Sequence, residues 1–363
     1  MNKIIYLDAA ASYQKPESVI RAEVDFLSNK YANSGRGICR LATDVDSMVL
    51  GARQVAAEFI GAQTESQIVF TAGTTDGFNK IAHMLRLGAN QTVVVSDLDH
   101  HSARLPFVMS GANVVVAPLD DELNFDLNNV PYADVFVITA MSNVIGVQQD
   151  VAKIIDAAKQ KNPNVITVVD AAQSVVHSEI DVEKLGCDFL CFSAHKIGGD
   201  TGLGIMYIKN PDLYKPVVFG GGMVNRIMDN QILFNSAPEV YEAGTLPLTQ
   251  IAGLVPAIKN IKANRPDLDL IKYMYDEIEK IDRVHIISKR DSSVLSFVVD
   301  DMHVLDFGAL IGAYGVCVRV GNMCASWIHQ YLNIAGSIRI SVGAYNSLDE
   351  VKQAIEYIKE ILK

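Results

Sequence analysis

The chain has 363 residues, of which 49% are apolar and 20% charged. That composition excludes a disordered, collagen-like or coiled-coil protein, and the length suffices for roughly two domains with a core that needs neither disulfides nor structural metal. The 31 basic and 42 acidic residues give a net charge of −11, which argues against a basic nucleic-acid-binding surface.

At the N-terminus, MNKIIYLDAAAS reaches Asp8 after a very short apolar run, so no signal peptide is expected. Two patterns then alternate. Short β-rich runs lie at Gln67–Thr71, Thr92–Ser96, Asn113–Ala117, Val135–Thr139, Val165–Val169, Phe189–Ser193 and Gly204–Ile208. Segments of helical character, such as Asp44–Ile60, Gly77–Leu87 and Val151–Lys161, lie between several of them. Apolar strands separated by helices predict a mostly parallel sheet covered on both faces. After about Gln250 the pattern becomes α+β. Helices are expected at Ile251–Ile261 and Leu268–Ile281, strands at Val294–Val299 and Ile338–Val342, and a terminal helix at Leu348–Leu362. The expected division is a large domain over 14–250 and a smaller one over 251–363, joined by 1–13. The longest stretch without Asp, Glu, Lys or Arg, 320–338, is broken by Asn322, Ser326, His329, Gln330, Asn333 and Ser337, so no membrane span is expected. Five scattered cysteines make no disulfide framework, and a cytoplasmic, reducing setting is expected.

Parallel sheets place ligands beyond the carboxyl ends of their strands. Five ends here carry reactive groups: Gly73-Thr74-Thr75, Asp99-His100-His101, Ser142-Asn143, Asp170-Ala171-Ala172-Gln173 and Ser193-Ala194-His195-Lys196. Free N–H groups and two hydroxyls at Gly73-Thr74-Thr75 suit a phosphate or simply cap a helix. Asp170 is a cap or the partner of a protonated ring nitrogen. Lys196 is a surface lysine or a Schiff-base lysine with a depressed pKa. No Walker loop or dinucleotide fingerprint is present. The adjacent His100 and His101 lack the spacing of a helical zinc site, and no metal is expected. Cys187 and Cys191 read as core thiols on one face of a strand. Cys324 stands in a turn-like glycine-containing segment, Arg319-Val320-Gly321-Asn322-Met323-Cys324-Ala325, that can expose a thiol.

Together these segments resemble the class V, fold-type I pyridoxal-phosphate enzymes, and most of all the SufS-type cysteine desulfurases and selenocysteine lyases. The resemblance runs colinearly from Tyr6-Leu7-Asp8 to Tyr345-Asn346. It is carried by FTAGTTDGFN (70–79), DLDHHSARLPF (97–107), MSNVIG (141–146), VVDAAQSVVHSEIDVEKLGCDFLCFSAHK (168–196), FGGGMV (219–224), YEAGT (241–245) and RVGNMCA (319–325). It implies an α/β fold with a mostly parallel seven-stranded sheet and a smaller α+β C-terminal domain that carries the cysteine loop. Lys196 would hold pyridoxal phosphate as a Schiff base, Asp170 would pair with the ring nitrogen, and His100 would stack on the ring. Gln173 would bond the phenolic oxygen, and Asn143 would position ring and substrate. Thr74, Thr75, Ser193 and His195 would hold the phosphate, and Thr245 would reach the phosphate of a neighbouring subunit, which implies a homodimer with shared sites. Arg339 would grip the substrate carboxylate and Cys324 would take the sulfur.

The implied reaction converts L-cysteine to L-alanine and leaves a persulfide on Cys324. A small sulfur-acceptor protein would collect it, for iron–sulfur assembly, thiolated tRNA or cofactor synthesis. The cofactor set matches the family, while the shell around substrate and thiol departs from it. Gly35 precedes Arg36-Gly37 where the family has histidine, and Asn322-Met323 replace two histidines before the cysteine. Other activities of the same fold compete: a selenocysteine lyase, a cysteine sulfinate desulfinase, an aminotransferase or a racemase, or else a non-catalytic scaffold.

Overall fold

Short apolar runs that bury both faces can satisfy their backbone only by pairing with one another. In the computed structural model, which describes residues 4–363 except Arg36, Asn230 and Asp291, six such runs and a largely exposed edge strand form one sheet. Its order is Ile68–Thr71, Gly204–Ile208, Phe189–Ser193, Ile166–Asp170, Val135–Thr139, Thr92–Val95 and Asn113–Val116. Gly204–Ile208 runs antiparallel to both neighbours, and the other pairs are parallel. Phe189–Ser193, Gly204–Ile208 and Val135–Thr139 are buried at every position. Each such large apolar side chain contributes about 1.5–3 kcal/mol on burial.

Helices cover both faces. Arg40–Ile60 buries Val45, Ala52, Ala56 and Ile60 on one side, and Thr74–Leu85 buries Phe78 and Ile81 on the other. Cys187 and Cys191 are both buried, but they join the cores on opposite faces of the sheet. The expectation of one shared face fails because the strand begins at Phe189, so Cys187 lies before it. The helix Leu248–Ala263, placed with the smaller unit by sequence, inserts Leu248, Ile251, Leu254, Ile258 and Ile261 into the large core.

The second sheet is antiparallel, in the order Val284–Ile286, Val294–Val299, Ser337–Ser341, Arg319–Gly321. Helices Leu268–Ile278, Val304–Ala313 and Leu348–Ile361 pack on it, the last opened by a Ser347–Glu350 capping box. The N-terminal segment ties the two units together. Ile5–Tyr6 pairs in parallel with Val316–Cys317, Asp8 bridges to Ser341, and Tyr13 enters the large core. This strap places Asp8, Ala10 and Ala11 between the parallel strand ends and the second sheet.

Candidate active site

The carboxyl ends of the central strands open onto a cavity of about 190 Å³. Thr74, Thr75, His100, Asn143, Asp170, Gln173, Ser193, His195 and Lys196 all line it. Nine of the twelve residues picked from sequence therefore meet at one place.

At one end of the cavity, the helix Thr74–Leu85 begins at Gly73. The Ser193 hydroxyl accepts from Thr74 N–H at 2.8 Å and lies 2.7 Å from Thr74 Oγ1. Thr75 Oγ1 lies 2.6 Å from Ser102 Oγ. The turn is close-packed: a Cβ on Gly204 would stand 2.5 Å from Gly73 Cα. A helix N-terminus with three hydroxyls on a fixed backbone suits a phosphate dianion.

Asp170 and Lys196 line the same cavity. Asp170 terminates a buried strand and accepts from Ala172 N–H at 3.0 Å. Burial pushes its carboxyl up to about 6, against the opposing pull of the Ala172 N–H and the Lys196 ammonium. Lys196 follows the next strand on a single 3₁₀ turn and donates to the carbonyls of Ala10 and Ala11 at 2.7 and 3.1 Å. Burial, aided by Arg339, brings its ammonium down to about 8. At pH 7 roughly a tenth of this amine is therefore unprotonated, and about half at pH 8, far more than for an ordinary lysine. Gln173 Nε2 donates to the Ala10 carbonyl at 2.8 Å.

His100 caps the helix His101–Val108. Its Nδ1 accepts from Ser102 N–H at 3.2 Å and lies 3.0 Å from Ser102 Oγ. A backbone N–H only donates, so Nδ1 is bare and the neutral ring carries its proton on Nε2. Burial, then Lys196, lowers the pKa of this ring to about 4 and keeps it neutral. Burial does the same for His195, again to about 4.

Three predicted residues lie outside this cavity. Arg339 is fully buried beside it, donating to the Asn143 carbonyl at 2.8 Å and to Asp8 Oδ1 at 2.9 Å. Its Nε has no hydrogen-bond partner among the described residues. Cys324 is exposed and lines an outer cavity of about 660 Å³ that shares Thr75, His100 and Ser102 with the inner one. Thr245 lines a separate groove of about 1000 Å³. Its segment is anchored by Glu242, which accepts both Arg53 Nη atoms at 2.7 and 2.8 Å and Phe70 N–H at 2.6 Å.

Sequence reasoning missed several neighbours. Asp8 receives Arg319 as well as Arg339, at 2.6 and 2.9 Å. Those two arginines are cross-strand partners, so the carboxylate between them offsets like-charge repulsion. Ser102 links Thr75 to His100. Asp99, named in the sequence at a strand end but given no role, accepts from Thr139 Oγ1 at 2.6 Å and Ser96 N–H at 2.7 Å, which fixes the turn before His100. Its place two residues after Asp97 at a strand end was the available sequence cue.

The aminotransferase class-V family profile matches residues 5–354. The chain belongs to that family. Class-V aminotransferases are pyridoxal-phosphate enzymes, and the donor set here fits that group: hydroxyls at a helix N-terminus, a buried carboxylate and a lysine amine around one cavity. Among relatives of this class-V chain, the cysteine desulfurase of Klebsiella pneumoniae subsp. pneumoniae is 32% identical, covering 99% of this chain and 94% of the relative. A probable cysteine desulfurase of Vibrio cholerae is 33% identical over 98% and 93%. Solved structures agree. The cysteine desulfurase of Thermococcus onnurineus superposes with a TM-score of 0.92 at 30% identity, covering 99% of this chain and 94% of that one. The Escherichia coli cysteine desulfurase CsdA gives 0.91 at 30% identity with the same coverage. The fold-type I assignment, with its mostly parallel seven-stranded sheet, follows from these matches and the topology.

Proposed function

We propose that this class-V enzyme is a pyridoxal-phosphate-dependent cysteine desulfurase that uses Cys324 as its sulfur acceptor. The observation that carries the reading is the convergence of Lys196, Asp170 and the Thr74–Thr75–Ser193 hydroxyls on one cavity, with an exposed thiol at its outer rim. Full-length relatives named cysteine desulfurase support it.

Lys196 would hold the cofactor, Asp170 its ring nitrogen, His100 the ring face and Gln173 the phenolic oxygen. Thr74, Thr75, Ser193 and His195 would hold the phosphate. When bound, pyridoxal phosphate supplies an electron sink conjugated with Cα of the amino acid. Arg339 orients L-cysteine by its carboxylate: two of its five N–H donors are held by Asn143 and Asp8, and Nε is among those left. Asn143 stands between them, its carbonyl on Arg339 and its amide on the cysteine loop. Lys196, neutral in part near pH 8, takes the Cα proton. The Cys324 thiolate bonds to the substrate sulfur while the carbon–sulfur bond breaks. Carbon keeps that electron pair and takes a proton, giving alanine and a Cys324 persulfide.

Thr245 lies away from the cavity of its own chain, which supports a homodimer in which it serves a second copy's phosphate site. Among the described residues no helix is long and apolar enough to cross a membrane, and all five cysteines are free thiols. We place the enzyme in the cytoplasm, handing its persulfide to a small acceptor protein.

The test is to supply the loaded enzyme with L-cysteine and a dithiol reductant and to measure sulfide and alanine together. Equal amounts of both are expected, and Cys324→Ala should lose both while still binding the cofactor. Desulfurase turnover retained in that variant would remove Cys324 from the reaction.

A further inference from the structure

The loop that carries the thiol is strained. Met323 and Cys324 have φ of +50° and +53°, successive left-handed conformations that non-glycine residues keep only where their surroundings impose them. Asn143 Nδ2 donates to the Met323 carbonyl at 3.0 Å, and His101 N–H donates to the Cys324 carbonyl at 2.7 Å. Just beyond, Ser326 N–H donates to His101 Nε2 at 3.2 Å, and the Ser326 hydroxyl lies 3.2 Å from the same nitrogen.

Behind these bonds sits Trp327, the chain's single tryptophan. Its ring meets the His101 ring edge-on, with centroids 5.0 Å apart. The Arg104 guanidinium lies over it at 4.1 Å from the centroid. Arg104 is itself fixed, donating to the Ser96 carbonyl at 3.2 Å and to Asp97 at 3.1 Å. His101 and Arg104 are three residues apart on the helix His101–Val108, so both face one side. The indole is clasped between them by an edge contact and a cation–π contact. The same helix is capped by His100, which lines the inner cavity. One rigid element therefore sets both the stacking histidine and the base of the thiol loop.

We propose that Trp327, clasped by His101 and Arg104, is a positioning residue for Cys324 that fixes how far the thiol reaches toward the substrate sulfur. The clasp touches neither substrate nor cofactor and acts through loop geometry. This rests on the reading of Cys324 as the sulfur acceptor.

The test compares Trp327→Ala and Arg104→Met with the conservative Trp327→Phe and Arg104→Lys in the loaded enzyme. Two quantities are read for each: the rate of persulfide formation on Cys324 in the first turnover, and the rate at which iodoacetamide alkylates Cys324. Peptide mass spectrometry separates the latter from Cys39, which is also exposed. A misplaced reacting group costs steeply, so the first two variants should slow persulfide formation about tenfold or more. The KM for L-cysteine should stay within about twofold, because ground-state binding is untouched. Alkylation of Cys324 should change about threefold or more as the loop is released, and the conservative variants should restore both readings. Parent-like persulfide formation and alkylation in folded Trp327→Ala would overturn the proposal. If that variant does not fold, the same result in Arg104→Met would overturn it. Desulfurase turnover in Cys324→Ala would instead overturn the acceptor reading, and the proposal with it. An inactive Cys324→Ala beside parent-like clasp variants would overturn the clasp alone.

Discussion

The inner cavity and the thiol rim are built on opposite physical terms. In the cavity Asp170 and Ser193 are buried and Lys196 is half-buried, and each is held by backbone: Lys196 by two carbonyls, Asp170 by Ala172 N–H, Ser193 by the start of a helix. At the rim, Cys324 is exposed on strained backbone and is held by bonds from other elements to its loop. The contrast matches the two tasks of the proposed reaction. A group that stabilises charge must be preorganised where water is excluded. A thiol that collects sulfur and passes it on must be reachable from outside. The inner site is therefore a property of strand ends, and the rim is a property of contacts between the two units.

The most direct way to break this comparison is Lys196→Ala. If the inner cavity is the chemical centre, turnover of L-cysteine to alanine and sulfide should fall by about three orders of magnitude or more, since in the proposed reaction this lysine would both hold the cofactor and move the Cα proton. Turnover above a tenth of the parent would place the chemistry elsewhere. A smaller effect is expected from Arg339→Lys, which keeps the charge and removes the fork. Arg339 uses one N–H of each Nη on Asn143 and Asp8, leaving Nε and the second N–H of each Nη. A single ammonium cannot reproduce this set. Loss of a charged hydrogen bond is worth about 1.5–3 kcal/mol, so kcat/KM for L-cysteine should drop roughly 10–150-fold. Unchanged steady-state kinetics would show that the substrate carboxylate binds away from Arg339.

The same contrast explains what was legible in the sequence. The seven strands of the large sheet stand within a residue or two of where their apolar runs place them; burial on both faces leaves six of them an uninterrupted local pattern, and the exposed edge strand Asn113–Val116 still carries three consecutive valines. The residues that follow those strands were legible for the same reason. The pair Val224–Met228 and Gln231–Phe234 was not, since both strands are almost wholly exposed and show no alternation of buried and exposed positions. Nor was Asp8, whose arginine partners lie 311 and 331 residues away and meet it only once the second sheet has folded. Trp327 and Arg104 likewise look like ordinary residues of two separate helices until tertiary packing stacks them.

The smallest effect predicted is thermal, and it asks whether the inner cavity is built for the fold or for its ligand. Burial raises Asp170 from the usual 3.8 to about 6. Between those values the folded chain binds more protons at this site than the unfolded chain does. Stability therefore falls as pH rises through about 4 to 6, and the loss is complete above about 6. An asparagine has no such proton to lose, and its amide oxygen can still accept from Ala172 N–H. Cofactor-free Asp170→Asn should melt a few degrees above the parent at pH 8, and the two should converge near pH 4; differential scanning calorimetry across that range checks it. A parent that melts higher at pH 8 would mean that the nearby Lys196 ammonium already compensates the carboxylate. The expected sign has a functional meaning. A carboxylate that weakens the fold where it stands, facing a cavity with an amine and a phosphate cradle, is accounted for by the protonated ring nitrogen it would meet there.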